Sequence, residues 1–424
     1  MFNISSYKAI QDICNGIILE DFQCVDLLNT LKFPTKIISY DTGLGKTVLA
    51  SAFIRALVNE IPSRRFIMVV EKSQLIQTPD KVRSLTGLSV QTITAQSEDI
   101  NNKLFEEDFL KHQVLMITYE TLNNPGVMLL LYKYKKFYNG IIVDEAHKVC
   151  NFEDASQATM LKAMLPNFEY RLMLTATPIT SGAKQLVYLL HMLDPKLIND
   201  VADYIRDVER GYSPLNDFPN HIIVRTRRDL GIISNYRTHI ELVNPHPWQV
   251  NASGPDMINI VKGERAENQA KRVLEIVQKH KGQRGLIYIH KHKLREWVQS
   301  ILEPCGVRVG CIHGKISAEE RISVLNKLKT GEIDVIITSV TTALDMEADY
   351  IIFYEFTTDI KQMLGRAERG LNPKTLDLYF IFTRETEEIS RFIQNIYNRS
   401  LLIQNVLRKD YSELIRVGYV LKSM

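Results

Sequence analysis

The stretch that most constrains this chain is DTGLGKT, residues 41–47, because it joins a short β-branched run to a run with helical periodicity. Residues 35–40, TKIISY, predict a buried strand, and the apolar residues after the turn recur at helical spacing. In such a turn, glycines let backbone amides surround a phosphate, a lysine adds positive charge and a hydroxyl binds Mg²⁺. The residues concerned are Gly43, Gly45, Lys46 and Thr47. A nucleoside triphosphate site is therefore predicted here.

The phosphate loop departs from its usual pattern at one position. Tyr40 stands where the strict pattern GxxxxGK[ST] requires glycine. A glycine-rich turn with a surface lysine is the alternative interpretation. The strand before the turn and the helix after it favour the phosphate loop.

The segment before the loop, residues 14–33, predicts an amphipathic helix. Its expected buried face carries four apolar residues, Phe22, Val25, Leu28 and Leu31. Gln23 lies on the same helix, and its amide has the donor and acceptor needed to bind the adenine edge of ATP. An exposed helix glutamine fits the spacing equally well.

Continuous apolar runs alternate with helical segments along most of the chain. The first group after the loop comprises residues 65–70, 114–119, 140–145 and 171–176. The second group comprises residues 284–290, 308–314, 334–339, 350–356 and 376–382. Such runs are typical of parallel sheets covered on both faces, and prolines interrupt the pattern over residues 194–248. We therefore predict two doubly wound α/β domains, residues 1–240 and 241–424.

The sequence DEAH, residues 144–147, ends one of the predicted strands. Functional side chains of parallel sheets collect at the carboxyl ends of the strands. Asp144 is placed there to bind Mg²⁺, and Glu145 to orient or deprotonate the attacking water. An acidic pair at a strand end is often structural, but its position after a phosphate loop in the same sheet favours catalysis. Two other strand ends supply candidate nucleic-acid contacts, Ser73 and Thr118.

The motifs, taken in order, resemble those of superfamily-two helicases and translocases. They are DTGLGKT, VDEAHKV, LTATPI and QMLGRAERG. Finer features, such as MITYETL and HIIVRTRRDL, look like the Swi/Snf-related branch of double-stranded DNA translocases. The resemblance extends over about residues 20–410. It implies two tandem RecA-like domains, with ATP bound on the first and with residues of the second acting on the same nucleotide.

The resemblance assigns roles to one predicted helix of the second domain. Arg366 and Arg369 lie three residues apart, so both guanidinium groups share one face and are expected to reach the γ-phosphate. Gln362, on the preceding turn, is expected to sense the same phosphate. A surface helix with ordinary arginines is the alternative.

A second motif of that domain is ITSVTTALDM, residues 337–346. By resemblance, Thr338 and Ser339 would contact the nucleic-acid backbone, and Asp345 the nucleotide. Ala343 stands where the family usually has glycine. The motif therefore matches the family pattern in part.

Composition narrows the class of protein. The uninterrupted apolar runs are shorter than the roughly 18 residues of a membrane span, and no secretory signal is visible at the N-terminus. Five cysteines without a CxxC pair indicate free thiols inside a cell. We expect a soluble intracellular protein, cytoplasmic or, in a eukaryote, nuclear.

The apolar face of residues 386–422 predicts C-terminal helices that brace one domain against the other.

The sequence thus predicts an ATP- and Mg²⁺-dependent motor that acts as a monomer on double-stranded DNA. A strand-separating helicase on branched DNA or RNA is the first alternative. An ATP-gated nucleic-acid clamp or assembly factor, which would hydrolyse ATP slowly without moving, is the second. The formal net charge of +3 is too small to indicate a polyanionic partner by itself.

Overall fold

A computed structural model describes residues 10 and 14 and the ranges 16–93, 110–151, 156–180, 182–232, 235–245, 267–339, 347–356, 360–367, 375–384 and 387–423. The chain divides into two compact units. The first is Met1–Arg225 with Asn405–Leu407, and the second is Thr226–Gln404 with Arg408–Met424. This division falls within the proline-interrupted stretch but earlier than residue 240, because residues 235–243 form a strand of the second sheet.

The first unit contains a seven-stranded sheet. Its strands are β1 (Thr35–Tyr40), β2 (Phe66–Val70), β3 (Val90–Ile93), β4 (Val114–Thr118), β5 (Gly140–Val143), β6 (Tyr170–Leu174) and β7 (Ile222–Arg225). They lie in the order β3-β4-β2-β5-β6-β1-β7, and every pair of neighbours is parallel. All of their carboxyl ends therefore meet at one edge of the sheet, with β1 and β5 separated by β6 alone.

Burial explains why these runs are continuously apolar. Every residue of β2, β4 and β5 is buried, so both faces of the sheet centre are covered. The α-helices with described bounds in this unit, outside the C-terminal region, include Asp21–Lys32, Lys46–Glu60, Thr78–Thr86, Pro125–Tyr134, Ser156–Met164, Ala183–Leu193 and Val201–Glu209.

The second unit contains a six-stranded sheet. Its strands are β8 (Asn235–Val243), β9 (Gly285–Tyr288), β10 (Val309–Ile312), β11 (Val335–Thr338), β12 (Tyr350–Phe353) and β13 (Thr375–Thr383). They lie in the order β10-β11-β9-β12-β13-β8, again with parallel neighbours. The apolar pattern of the sequence predicts no strand at β3, β7 or β8. The predicted fold of two tandem RecA-like α/β domains is nevertheless confirmed.

Among the described residues of the second unit's sheet region, the α-helices are Glu267–Lys279, His292–Leu302, Ala318–Thr330 and Ile360–Ala367. The C-terminal helices are Glu387–Phe392, Asn398–Leu407 and Ser412–Ser423, with a π-helical turn at Ile393–Tyr397. The expected bracing role of these C-terminal helices stays a prediction. Within the described ranges, no helix is long and apolar enough to cross a membrane.

The helix Asp21–Lys32 buries a different face from the one predicted. Val25 is 58% exposed, whereas the buried positions include Gln23, Asp26 and Thr30. The apolar periodicity was misleading because polar residues of this helix are buried together with the apolar residues Cys24 and Leu27. Asp26 and Gln23 make hydrogen bonds there that no apolar side chain could make.

Candidate active site

The phosphate loop follows β1 and ends in the first turn of the helix Lys46–Glu60. Gly43 and Gly45 have φ angles of 88° and 82°, in the left-handed region that glycine adopts without strain. Gly45 precedes the helix and has no side chain with which to cap its first amides. A helix start of this kind binds anions through backbone N–H groups and the helix dipole. The loop and helix start expected at Gly43, Gly45, Lys46 and Thr47 are therefore present, and phosphate binding by these residues stays a prediction.

Lys46 lies inside the loop that it is expected to serve. Its ammonium donates to the Tyr40 carbonyl at 3.3 Å, so it spans the two ends of the turn. It is also near enough to Asp144 that its charge opposes the upward shift of that residue's pKa. The Lys46 ammonium and the Asp144 carboxylate are therefore close enough to interact electrostatically.

Tyr40 explains how the loop forms without the usual first glycine. The Tyr40 side chain is fully buried, and its hydroxyl donates to Asp26 Oδ2 at 2.6 Å. Arg225 binds the same carboxylate through two hydrogen bonds, of 2.8 and 2.6 Å. Burial and the Asp26 charge raise the pKa of Tyr40, so the phenol stays protonated as a donor. A buried, charge-assisted network therefore anchors the start of the loop.

Gln23 is buried against the phosphate loop, so the exposed alternative is wrong. Its Nε2 donates to the Leu44 carbonyl at 3.0 Å, and its Oε1 accepts from the Glu20 amide at 3.0 Å. A Cβ at Gly45 would lie 2.4 Å from Gln23 Nε2, so a larger residue at position 45 would also displace this amide. The adenine contact of Gln23 stays a prediction.

Asp144 follows β5 and is enclosed by the neighbouring strand ends. Its Oδ1 accepts from the Glu145 amide at 2.9 Å, and its Oδ2 accepts from Gln74 Nε2 at 3.1 Å. The Tyr119 hydroxyl, just after β4, donates to the Asp144 carbonyl. Burial, and then the adjacent Glu145 carboxylate, raise the pKa of Asp144 to about 6. The charged form of this buried side chain is therefore energetically unfavourable unless a cation binds beside it.

Glu145 has a φ of 49°, which is uncommon for a residue with a side chain. Strain of this kind costs about 1–3 kcal/mol and is concentrated at functional sites. The Glu145 carboxylate lies 3.5 Å from His147 Nδ1. That same nitrogen is 2.9 Å from the Thr175 hydroxyl, after β6, which in turn accepts from the Thr177 amide at 3.1 Å. The DEAH residues are thus connected to the LTATP motif.

The residues present fit Mg²⁺. The Thr47 hydroxyl and the Asp144 carboxylate are oxygen ligands of the kind that Mg²⁺ takes beside substrate phosphates. The buried carboxylate with its raised pKa is the observation that supports this fit.

Replacing Asp144 with Asn should stabilise the protein when metal and nucleotide are withheld. The folded-state pKa of about 6 lies above the ordinary 3.8, so folding is linked to proton uptake and stability falls as pH rises between these values. Above pH 6 the buried charge costs up to about 3 kcal/mol, which the neutral amide avoids. Thermal unfolding in EDTA at pH 5 and pH 7.5 measures this, and the gain should be larger at pH 7.5. A variant that melts below wild type at pH 7.5 would contradict it.

The predicted nucleic-acid contacts occupy varied environments. Thr118 is buried, and its hydroxyl lies 2.8 Å from that of Thr121. Thr338, in the second unit, is also buried, while Ser339 is half-buried and its amide donates to the Ile312 carbonyl. Ser73 lies on the turn Lys72–Ile76, but its side chain is outside the described residues. These contacts remain predictions, and the two buried threonines would require local rearrangement.

The helix Ile360–Ala367 carries Gln362 and Arg366, as expected from the sequence. The side chains of both residues lie outside the described part of the chain, as do Arg369 and Asp345 altogether. Their roles therefore stay predictions.

The sequence interpretation missed four residues that shape this site, Gln74, Tyr119, Asp26 and Arg225. Gln74 is the one among them that a local sequence pattern indicates. Glu71 and Gln74 have the spacing of a capping box, which predicts a turn directly after β2. The bond from Gln74 to Asp144 joins residues far apart in the chain and left no such signal.

Comparison with known proteins gives matches over both units. A family model described as SNF2-related domain matches residues 30–231, and one described as helicase conserved C-terminal domain matches residues 268–396. UvrABC system protein B of Kosmotoga olearia is 30% identical over 148 residues, which are 32% of this chain and 22% of that protein. Chromatin structure-remodeling complex protein SYD of Arabidopsis thaliana is 31% identical over 173 residues, 40% of this chain and 5% of that protein.

One solved structure, the Sulfolobus solfataricus SWI2/SNF2 ATPase core in complex with dsDNA, aligns with 92% of this chain and 93% of its own. Its TM-score is 0.44 and its sequence identity is 18%. The chain spans less than a quarter of the length of the two curated relatives. The two family matches nevertheless include the phosphate loop, the DEAH residues and the helix Ile360–Ala367. The chain belongs to the Swi/Snf-related branch of the superfamily-two helicases and translocases.

Proposed function

We propose that this chain uses ATP hydrolysis to move along double-stranded DNA. One observation carries the proposal. The open helix start at Gly45 and the buried Asp144 carboxylate lie at the same edge of one parallel sheet, with Lys46 close enough to influence the carboxylate. Phosphoryl transfer needs this combination of phosphate cradle, positive charge and metal-binding carboxylate.

The site residues of the first unit have separate roles in the proposed reaction. The loop amides and Lys46 hold the phosphates, and Glu145 orients the water and accepts its proton. Asp144 and Thr47 would hold Mg²⁺, which neutralises charge that develops on the transferred phosphate. The hydrogen bond from His147 to Thr175 offers a route by which the state of the nucleotide reaches the next strand end.

Duplex DNA is the proposed track because of the family to which the chain belongs. The SNF2-related match covers the first unit, and one relative is named as a component of a chromatin structure-remodeling complex. The proposed contacts are basic, hydroxyl and backbone groups that bind phosphate, with few aromatic platforms for unstacked bases.

Duplex DNA should therefore stimulate ATP hydrolysis more than single-stranded DNA or RNA does, while simple forks stay unseparated. The measurement is the steady-state ATPase rate with single-stranded DNA, duplex DNA, branched DNA and RNA, run beside a strand-displacement assay. Binding should fall steeply as salt rises, because neutralised phosphates release counterions. A chain with Lys46→Ala provides the control for contaminating ATPase.

Two results would replace this proposal with another. Greatest stimulation by single strands together with fork opening would indicate a strand-separating helicase. Slow hydrolysis that no nucleic acid stimulates, with tight ATP-dependent binding, would indicate a clamp or assembly factor.

A further inference from the structure

The turn Lys72–Ile76, directly after β2, is tied to the DEAH residues by two side-chain contacts. Gln74 Nε2 donates to Asp144 Oδ2 at 3.1 Å. Glu71, which precedes the turn, forms an ion pair with Lys148, which follows the DEAH sequence. β2 and β5 are hydrogen-bonded neighbours, so this turn and the DEAH residues follow adjacent strand ends.

The Gln74 amide is held at both ends. Its Oε1 accepts from the Glu71 amide at 3.0 Å, and the Glu71 side chain accepts in return from the Gln74 backbone. With the oxygen engaged in this capping box, the amide nitrogen points to Asp144. Its orientation is therefore set by the turn and not by the carboxylate that it meets.

A neutral donor suits this position better than a charged one. Lysine or arginine beside Asp144 would form an ion pair and compete with a metal for the carboxylate. An amide orients one oxygen of Asp144 and leaves its negative charge available. The Glu145 amide orients the other oxygen at 2.9 Å, so the carboxylate is held by two neutral donors.

We propose that Gln74 is a positioning residue that holds the Asp144 carboxylate in the orientation required for binding Mg²⁺ with nucleotide. This inference rests on the proposed role of Asp144 as a metal ligand. Groups that orient metal ligands typically affect metal affinity by about 10–100-fold when they are replaced.

The experiment measures binding of a fluorescent ATP analogue as a function of free Mg²⁺, without any need for turnover. Gln74→Met, which keeps the length of the side chain and removes the donor, should raise the Mg²⁺ concentration for half-maximal binding about ten-fold or more. Gln77→Met is the matched control, since Gln77 is exposed on the same segment. It should behave as wild type. Gln74→Ala repeats the loss of the donor if the methionine variant fails to fold.

Two further variants separate the possible failures. Glu71→Ala loosens the turn that orients the Gln74 amide but keeps the amide itself, so it should shift the metal dependence in the same direction as Gln74→Met and by less. Wild-type metal dependence in Gln74→Met, with a clear shift in Asp144→Asn, would overturn the positioning role while leaving the proposed function standing. Unchanged metal dependence in Asp144→Asn would instead remove the metal role on which both proposals depend.

Discussion

A chain with Glu145→Gln is expected to bind ATP and to hydrolyse it at least 10²-fold more slowly than wild type. Glu145 is the proposed base, and general bases contribute about 10²–10⁴-fold to rate. The amide keeps the size of the side chain and removes its ability to accept a proton. Lys46→Ala should instead abolish nucleotide binding, because it removes the positive charge that the phosphates meet in the loop.

Nucleotide affinity by fluorescence titration and steady-state ATPase, measured on the same preparations, distinguish the two variants. Glu120→Gln is a suitable control, because it makes the same change at an exposed carboxylate after β4. Near-normal turnover in Glu145→Gln would show that another group activates the water.

The strands were the most predictable part of the fold. β1 has the limits that its sequence indicated, and every apolar run named as a strand overlaps one. These runs can be recognised in the sequence because buried parallel strands need apolar residues on both faces. β8 was missed because it is polar at most positions and none of its residues except Val243 is fully buried.

The parts of the site that are formed by consecutive residues were predictable. The parts that depend on contacts between residues far apart in the chain were not. The phosphate loop and the DEAH residues are short motifs whose chemistry lies in consecutive residues. The network of Tyr40, Asp26 and Arg225 joins three separate elements. In the sequence its only sign is that Tyr40 stands where the phosphate-loop pattern requires glycine. The error in the buried face of the helix Asp21–Lys32 has the same origin. Tertiary hydrogen bonds outweighed apolar periodicity there.

The largest effects of all are expected for the two arginines of the second unit. Arg366→Ala should leave ATP affinity within a few-fold of wild type and reduce hydrolysis and translocation by orders of magnitude. ATP is expected on the first unit, and the resemblance implies that these guanidinium groups meet the γ-phosphate during the reaction. A guanidinium that stabilises charge in the transition state contributes about 10³–10⁵-fold in related phosphoryl-transfer sites.

Arg369→Ala should behave in the same way, and in both variants nucleic acid should no longer stimulate turnover. The physical reason is that a group which stabilises only the transition state changes rate and not ground-state affinity. Nucleotide titration beside steady-state ATPase, with and without duplex DNA, tests both parts. Arg391→Ala is a matched control, because Arg391 pairs with Glu387 on a different helix of the same unit. An arginine variant that loses affinity and turnover in equal measure, or neither, would show that these residues do not act on the transferred phosphate.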